Sequence, residues 1–518
     1  MSSETDVAHP GSIIIESAKI TNFDGSKSYD LKFIIVEFSI FESLNKPYLT
    51  ANFVINDAGA LTTQLPLIGQ ETITIKFKTP ESSFTRTVEK EFKVIAVTDY
   101  SRISPDNASY TLQCASSAFI KDLNTKIRKA YQNMTISDMV KTIAKDYLGI
   151  DEMKTLEETE GERTIVIPSM TPANALNFLC REAKSSENKS SVFHFYENID
   201  GFHFQTTDKM IKDDANRYTE GSITTSIINT TDYYYATDYD FNRKSYNEVN
   251  TILGLSIGDS NTQSMRKPYE FKILREYSFK NIGNGVGGMK TGAFENTVAF
   301  FDPITDFYEE KTYKYMDESG IFSLTSASSE GHMLTSDNEY IKDGKGFVIF
   351  EPTNHIQQNE YKSDTKYETM NYKIGAKAIY DNVVANITIP GDSDKSVGQL
   401  INLKFPEFGA NDDVEGQINK YVSGQYIIQT VRHFYSSTGG YYTIMTVAKN
   451  AFENSVSSSV SKDTEQSTSQ YDEENDASKQ PPDDSNASIQ DEVWNPPTSN
   501  ESPVILNAPG LNFPTLGS

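Results

Sequence analysis

Two cysteines, one tryptophan and six histidines are all that 518 residues hold of those types. Cys114 and Cys180 are too few for a disulfide framework or a cysteine-built metal site. They read as small apolar core residues, in keeping with a reducing compartment. No run approaches ~18 uninterrupted apolar residues, so no membrane-spanning helix is expected. The opening MSSETDVAHPGS has no basic segment followed by an apolar one. The expectation is a soluble chain with no secretory signal that does not bind a membrane by itself. Basic residues are also in deficit: 47 Lys and Arg stand against 72 Asp and Glu, a formal net charge of −25 at pH 7. Such a chain repels nucleic-acid phosphates, which argues against gripping a duplex.

Catalytic signatures are missing too. The sequence has neither a Gly-x-Ser-x-Gly elbow nor an H-E-x-x-H helix. Gly283, Gly285 and Gly288 have dinucleotide-loop spacing, but MKTGAF follows them where a helix should open, so a flexible loop is the better reading. His194 and His203 flank a hairpin turn, and two imidazoles without a third ligand make a poor metal site. Asp392 and Asp394 in GDSDKS lack the Gly and terminal Glu of a calcium loop and read as a turn. The expectation is no catalytic residue, no metal, no cofactor and no enzyme activity.

What the chain has in quantity is aromatic residues, 29 Tyr and 29 Phe, set mostly in alternating segments. Rings and β-branched side chains suit a pleated, half-buried surface, so the fold is expected to be mainly β with an α/β insert. Residues 12–117 carry KFIIVEFSIFES, LTANFVIND, ETITIKFK, EFKVIAVTDYS and SYTLQCAS, separated by turn signals. They predict a first antiparallel barrel or sandwich. In residues 118–218 the period changes. Ile136, Met139, Val140, Ile143 and Tyr147 line one helical face between a Thr135 cap and a Gly149 stop. A second helix follows Thr171 and Pro172, and the aromatic runs around Asp200-Gly201 predict a hairpin. Residues 219–380 read as a mixed β region holding part of a second barrel and an accessory domain. Residues 381–453 complete that barrel, and residues 454–518 form a polar linker with an apolar end.

One strand is spelled twice. PLIGQETITIKF and SVGQLINLKF place Gly69, Gln70, Ile73, Ile75 and Phe77 against Gly398, Gln399, Ile401, Leu403 and Phe405, with one residue of difference in spacing. Phe92-Lys93-Val94 then matches Tyr426-Ile427-Ile428, and Tyr110-Thr111-Leu112 matches Tyr442-Thr443-Ile444. Three elements recurring in one order favour an internal duplication over the chance likeness of any two sheets. Ile73, Ile75, Ile401 and Leu403 are then expected in the cores, with Thr72, Thr74 and Asn402 facing away.

ANFVINDAGALTTQLPLIGQETITIKFK, FHFYENIDGFHF, and LINLKFPEF between NITIPGDSDKSVG and GQYIIQTVRHFY carry a resemblance. They are similar to the baseplate hub proteins of contractile-tailed bacteriophages and to the hub region of type VI secretion spike proteins. The resemblance implies a homotrimer with two related barrels per chain. Its six barrels would continue a hexameric tail tube on one side and carry a central spike on the other. It implies as partners the tube protein, the spike protein and other baseplate proteins, with a bore that DNA passes through unbound; whether the acidic surplus lines that bore, faces outward or sits in the tail stays open at this stage. The location implied is the virion tail, assembled in the host cytoplasm. Two other readings remain open at this stage: a tail enzyme that degrades cell wall, and the hub of a type VI-like injection machine. A receptor-binding fibre would need long repeats, and none is seen.

The polar run SVSSSVSKDTEQSTSQYDEENDASKQPPDDSNAS cannot bury enough surface to fold alone. After it stand the only tryptophan, Trp494, and Val504, Ile505, Leu506, Leu511, Phe513 and Leu516 among prolines. This end is expected to anchor on a partner.

Overall fold

Alternation of apolar and polar residues builds the first barrel. TITIKFK reads half-buried, buried, half-buried along its length, which brings Ile73, Ile75 and Phe77 to zero exposure and turns Thr72 and Thr74 outward. The computed structural model describes residues 11–59, 61–65, 67–80, 86–187, 190–219, 238–240, 275–283, 290–292, 295–302, 306–314, 348–352, 365–405, 419 and 421–450. The barrel comprises β1 (Ile14–Thr21), β2 (Ser28–Asp30), β3 (Ile35–Ser43), β4 (Thr50–Asp57), β5 (Thr72–Lys78), β6 (Thr87–Ser104) and β7 (Asn107–Ala115), with the short helix α1 (Leu61–Gln64) after β4. All pairings within it are antiparallel, in the order β3-β4-β7-β6-β5-β1-β2.

The α/β insert follows. It holds α2 (Ser117–Leu123), β8 (Ile127–Thr135), α3 (Ile136–Ile143), β9 (Thr155–Leu156), β10 (Glu162–Met170), α4 (Pro172–Glu182), β11 (Phe193–Asn198), β12 (Gly201–Thr206) and α5 (Thr207–Thr219). The Thr135 hydroxyl accepts from the Asp138 amide at the start of α3. A π-helical turn, Ala144–Leu148, continues that helix, and Gly149 ends it in the left-handed conformation at φ 68°. Thr171 caps α4 with Pro172 in its first turn. Met139, Val140, Leu176, Leu179 and Phe204 meet in one core, separate from those of the barrels.

The second barrel is assembled from β13 (Asp238–Asp240), β14 (Glu276–Asn281), β18 (Val383–Pro390), β19 (Leu400–Lys404), β20 (Gly424–Ser436) and β21 (Gly440–Lys449). Between β14 and β18 the chain forms a separate sheet of β15 (Glu295–Asp302), β16 (Phe307–Lys314) and β17 (Val348–Pro352), followed by helix α6 (Thr365–Ile379). The Asn296 amide donates to the Asn371 carbonyl of α6 at 3.1 Å, tying helix to sheet.

The six described strands of the second barrel repeat six of the first, all but β2. Its neighbour order β14-β18-β21-β20-β19-β13 matches β3-β4-β7-β6-β5-β1, and both follow chain order in the same way. Ile73 pairs with Phe92 where Ile401 pairs with Tyr426. A β-bulge interrupts β6 after Val94 and β20 after Ile428, at equivalent places. One pairing differs: β1 runs antiparallel to β5, whereas β13 runs parallel to β19.

The third sequence match is out by one residue. Val97 pairs with Leu112 and Val431 pairs with Met445, so the counterpart of Leu112 is Met445 and not Ile444. Tyr441, Thr443 and Met445 are buried, while Tyr442 and Ile444 lie on the other, half-exposed face. A slip of one residue exchanges the faces of a strand, and two successive tyrosines hid it.

Candidate functional interface: the seam between the barrels

The two barrels are one sheet. β20 pairs antiparallel with β3 from Thr430 opposite Ser43 to Ser436 opposite Glu37, which joins their strands into a 13-stranded sheet. The Arg432 guanidinium fixes this joint. Its Nε and a terminal nitrogen donate to the Ser39 hydroxyl at 3.1 and 2.9 Å, and its plane covers the rings of Phe41 and Phe434. The cores also exchange residues: Tyr441 of β21 belongs to the first, and Leu44, just past β3, to the second.

Glu42 lies under the joint with a fully buried side chain. Its carboxylate accepts from the Ser396 hydroxyl at 2.7 Å, the Val397 amide at 3.0 Å and the Ile199 amide at 3.3 Å. His433 stands 3.6 Å away, at ion-pair rather than hydrogen-bond distance, and its other ring nitrogen meets the Tyr441 hydroxyl at 2.8 Å. Burial pushes the Glu42 pKa up, but His433, Ser396 and the Val397 amide outweigh it and hold the carboxyl below its usual range. One carboxylate thus ties the first barrel, the second barrel and the hairpin of the insert.

The GDSDKS turn is the second fastening. Asp392, Ser393 and Ser396 have zero exposure. Thr79 and Ser393 bond each other twice, amide to hydroxyl in both directions, at 3.2 and 2.9 Å. The Ser393 hydroxyl donates to the Arg86 carbonyl at 2.9 Å, and the Arg86 amide donates to Asp394 at 2.9 Å. The Arg86 guanidinium pairs with Asp200 of the insert hairpin. A polar loop that reads as a turn is therefore a buried plug, satisfied by partners some three hundred residues earlier.

The repeat residues occupy matching places with one exchange. Gly69 and Gly398 both take the left-handed conformation, at φ 81° and 84°. Ile401, Leu403 and Phe405 are buried like Ile73, Ile75 and Phe77. Gln399, however, corresponds to Glu71 rather than Gln70. The Val94 amide donates to the Glu71 carbonyl as Ile428 does to Gln399, and each side chain accepts from the amide three residues back, Ile68 or Ser396. Gln70 is the extra residue. Of Asn402 the structure describes only the backbone.

His194 and His203 lie on one face of the β11–β12 hairpin, each with a protein partner. His194 meets the Thr207 hydroxyl at 3.0 Å, and His203 meets the Asn198 side chain at 2.9 Å while stacking on Tyr196. Burial lowers the pKa of each to about 4. Among the described residues no group of three or more His, Cys, Asp or Glu side chains is placed to hold a metal ion. Gly283 is described, whereas Gly285, Gly288 and the candidate anchor Trp494, Val504, Ile505, Leu506, Leu511, Phe513 and Leu516 lie outside the described residues.

No protein-family model matches the chain, and no curated protein matches it. Among solved structures it is similar to the tail protein of Neisseria meningitidis MC58, with TM-score 0.45 and 12% identity over 85% of this chain and 97% of that one. It is similar to the 43 kDa tail protein of prophage MuSo2 from Shewanella oneidensis, with TM-score 0.43 and 9% identity over 84% and 98%. An E. coli component of the type VI secretion system follows, with TM-score 0.35 and 10% identity over 87% and 80%. The structures named are thus two tail proteins, one of them of a prophage, and a component of the type VI secretion system.

Proposed function

We propose that this chain is a structural hub of a contractile tail baseplate, a homotrimer that adapts a six-fold tail tube to a three-fold spike. The observation that carries the reading is the head-to-tail joint of two barrels with one strand order. β3 of the first barrel meets β20 of the second, and β20 is the counterpart of β6, not of β3. A contact between unlike edges of like units repeats until it closes a ring. Three chains then present six comparable barrels to a six-fold tube. The protein has no chemical step to perform: Glu42, Arg432 and the 391–398 loop fasten barrels together. With a formal charge of −25 per chain, a bore carrying part of the surplus repels DNA in transit rather than retaining it. Its place is the virion tail, after assembly in the host cytoplasm.

Mass measurement of the full chain over a range of concentrations tests this. A monomer–trimer equilibrium, shifted to trimer by spike or tube protein, is expected. A stable dimer, or clearing of peptidoglycan by the purified chain, overturns it.

The apolar C-terminal end serves in this reading as a tether docked on a neighbouring hub chain, the spike or the tube, raising their effective concentration. Deleting Val493 to Ser518 is expected to leave thermal unfolding of the barrels unchanged while weakening retention of one partner. Unchanged retention of all of them would reduce the segment to solvated chain.

A further inference from the structure

The β11–β12 hairpin of the insert puts side chains into three separate cores. Phe193, Phe195 and Phe204 belong to the core of the insert itself, Tyr196 to that of the second barrel, and Ile199, at the tip, to that of the first. A hairpin that merely turned at the surface would have no use for an apolar residue there. Ile199 and Asp200 form the turn between paired Asn198 and Gly201, and Ile199 is only 8% exposed.

The tip is stiff and is held from both sides of the seam. The Asn198 side-chain oxygen accepts from the Asp200 amide at 2.8 Å and the Gly201 amide at 3.1 Å, and it meets the His203 ring at 2.9 Å. Toward the first barrel, the Ile199 amide donates to Glu42 at 3.3 Å, and the buried Glu197 carboxylate accepts from the Leu49 amide at 3.1 Å. Toward the second, the Tyr196 hydroxyl lies against Gly398. The Arg86 guanidinium spans the two, pairing with Asp200 and donating to the Asp394 carbonyl at 3.1 Å.

Strand pairing by itself leaves the angle between the barrels loose. Among the described strands, β3 with β20 is the one pair that crosses the seam. Neighbouring strands twist by anything from roughly −10° to −35°. A ring of six barrels closes only where successive barrels turn by about 60°. The hairpin tip meets the joint at its Glu42 end, where Glu42 lies opposite Val431.

We infer that the tip of the β11–β12 hairpin is a wedge that sets the angle between the two barrels of a chain, with Ile199 as its positioning residue. The plugged Ile199 and the Asn198 turn stop the barrels from closing further on that side, and Glu42 and Arg86 stop them from opening. Among the described residues the chain has one such hairpin for two barrels. In a six-barrel ring, wedged joints within chains then alternate with unwedged joints between chains, and the unwedged ones absorb any error of closure. Curvature is built into the chain before assembly.

The consequence for the ring rests on the hub reading, whereas the wedge is measured inside one chain. Spin labels on Asp106→Cys and Thr438→Cys report the distance between equivalent exposed turns, β6–β7 of the first barrel and β20–β21 of the second, while Cys114 and Cys180 are buried. The labelled full chain is mixed with excess unlabelled chain, so that only distances within a chain are read. A narrow distribution is expected for the native sequence, and a wider, shifted one for Ile199→Ala. Ile20→Ala, which empties a place in the same core on β1, is expected to leave it narrow. Should the alanine variants not fold, Ile199→Val against Ile20→Val makes the same comparison. Matching distributions for the two sites, or a wide one in the native chain, would overturn the wedge. A widened Ile199→Ala distribution in a chain that forms no trimer even with spike or tube protein would keep the wedge and remove the hub reading. Trimers formed equally well by native and Ile199→Ala chains would overturn the wedge as the source of ring curvature.

Discussion

The two barrels differ where loops are free to differ and agree where strands must meet. β3 passes to β4 through residues 44–49, whereas β14 passes to β18 through residues 282–382, which include a three-stranded sheet and α6. The strand order is the same in spite of this. Lengthening a surface connection costs little entropy, rising slowly with length, so a whole accessory unit fits between paired strands. The seam has no such latitude. Glu37-Phe38-Ser39-Ile40 and Glu276-Tyr277-Ser278-Phe279 keep one pattern at matching register on β4 and β18, and in β3 that pattern meets β20.

The strongest way to break the comparison is to charge equivalent core positions. Ile73 and Leu403 are both at zero exposure in their separate cores. Ile73→Asp and Leu403→Asp are each expected to cost roughly 3–5 kcal/mol, since the new carboxylate has no buried partner. Because β3 and β20 bind the barrels into one sheet, each variant should lower the midpoint of a single denaturant transition. Two separated transitions, each sensitive to one variant, would show barrels that merely touch.

Glu42 sharpens the comparison at the seam. Counting along the matched strands, its counterpart in the second barrel is Ile282, which is exposed. Glu42→Ala strands Ser396, the Val397 amide and His433 in a buried site and is expected to cost about 3–5 kcal/mol, while Ile282→Ala in the isolated chain changes stability by about 0.5 kcal/mol or less. The pKa of Glu42 is depressed below 4.5. Its contribution is therefore present above pH 4.5 and lost as pH falls through the folded value. Thermal unfolding of the native chain and of Glu42→Gln, followed from pH 6 to pH 3, should converge toward the acid end. Parallel curves would mean that the carboxylate is not charged in the fold.

Much of this organisation is legible in sequence. The inward positions of the barrel strands follow from period two alone, and both helix caps of the insert, Thr135 and Thr171, follow from residue type and spacing. What sequence conceals is pairing. Tyr441 and Tyr442 are alike as letters, and only their partners on β20 tell which one faces in. Glu71 and Gln399 differ in charge yet bond the same backbone position, so matching the identical Gln70 was the wrong signal. The match of β3 to β14 was there to be seen as EFSI against EYSF. It was obscured because the strand that follows β14 in the barrel lies a hundred residues on. GDSDKS reads as a turn because short polar residues favour turns, and its burial depends on Thr79, Arg86 and Glu42, remote in sequence.

The finest comparison concerns the paired glycines. Gly69 and Gly398 share the left-handed conformation, which alone costs an alanine about 1 kcal/mol. Their surroundings differ. A methyl group at Gly69 would sit 2.9 Å from the Ile95 carbonyl oxygen, part of the β6 bulge, and backbone there cannot turn aside. At Gly398 it would sit 2.7 Å from the Tyr196 hydroxyl and 3.3 Å from the Met210 sulfur, both side chains. The Tyr196 hydroxyl accepts a hydrogen bond from the Gln205 amide at 2.9 Å, so moving it strains the insert rather than the barrel. Gly69→Ala and Gly398→Ala are each expected to destabilise by about 1–3 kcal/mol, by different routes. Amide exchange separates them. Gly69→Ala should loosen β5 and the neighbouring part of β6, whereas Gly398→Ala should loosen the β11–β12 hairpin together with β19. Equal loosening of one region by both would mean that the matched turns do not carry the separate contacts described for them.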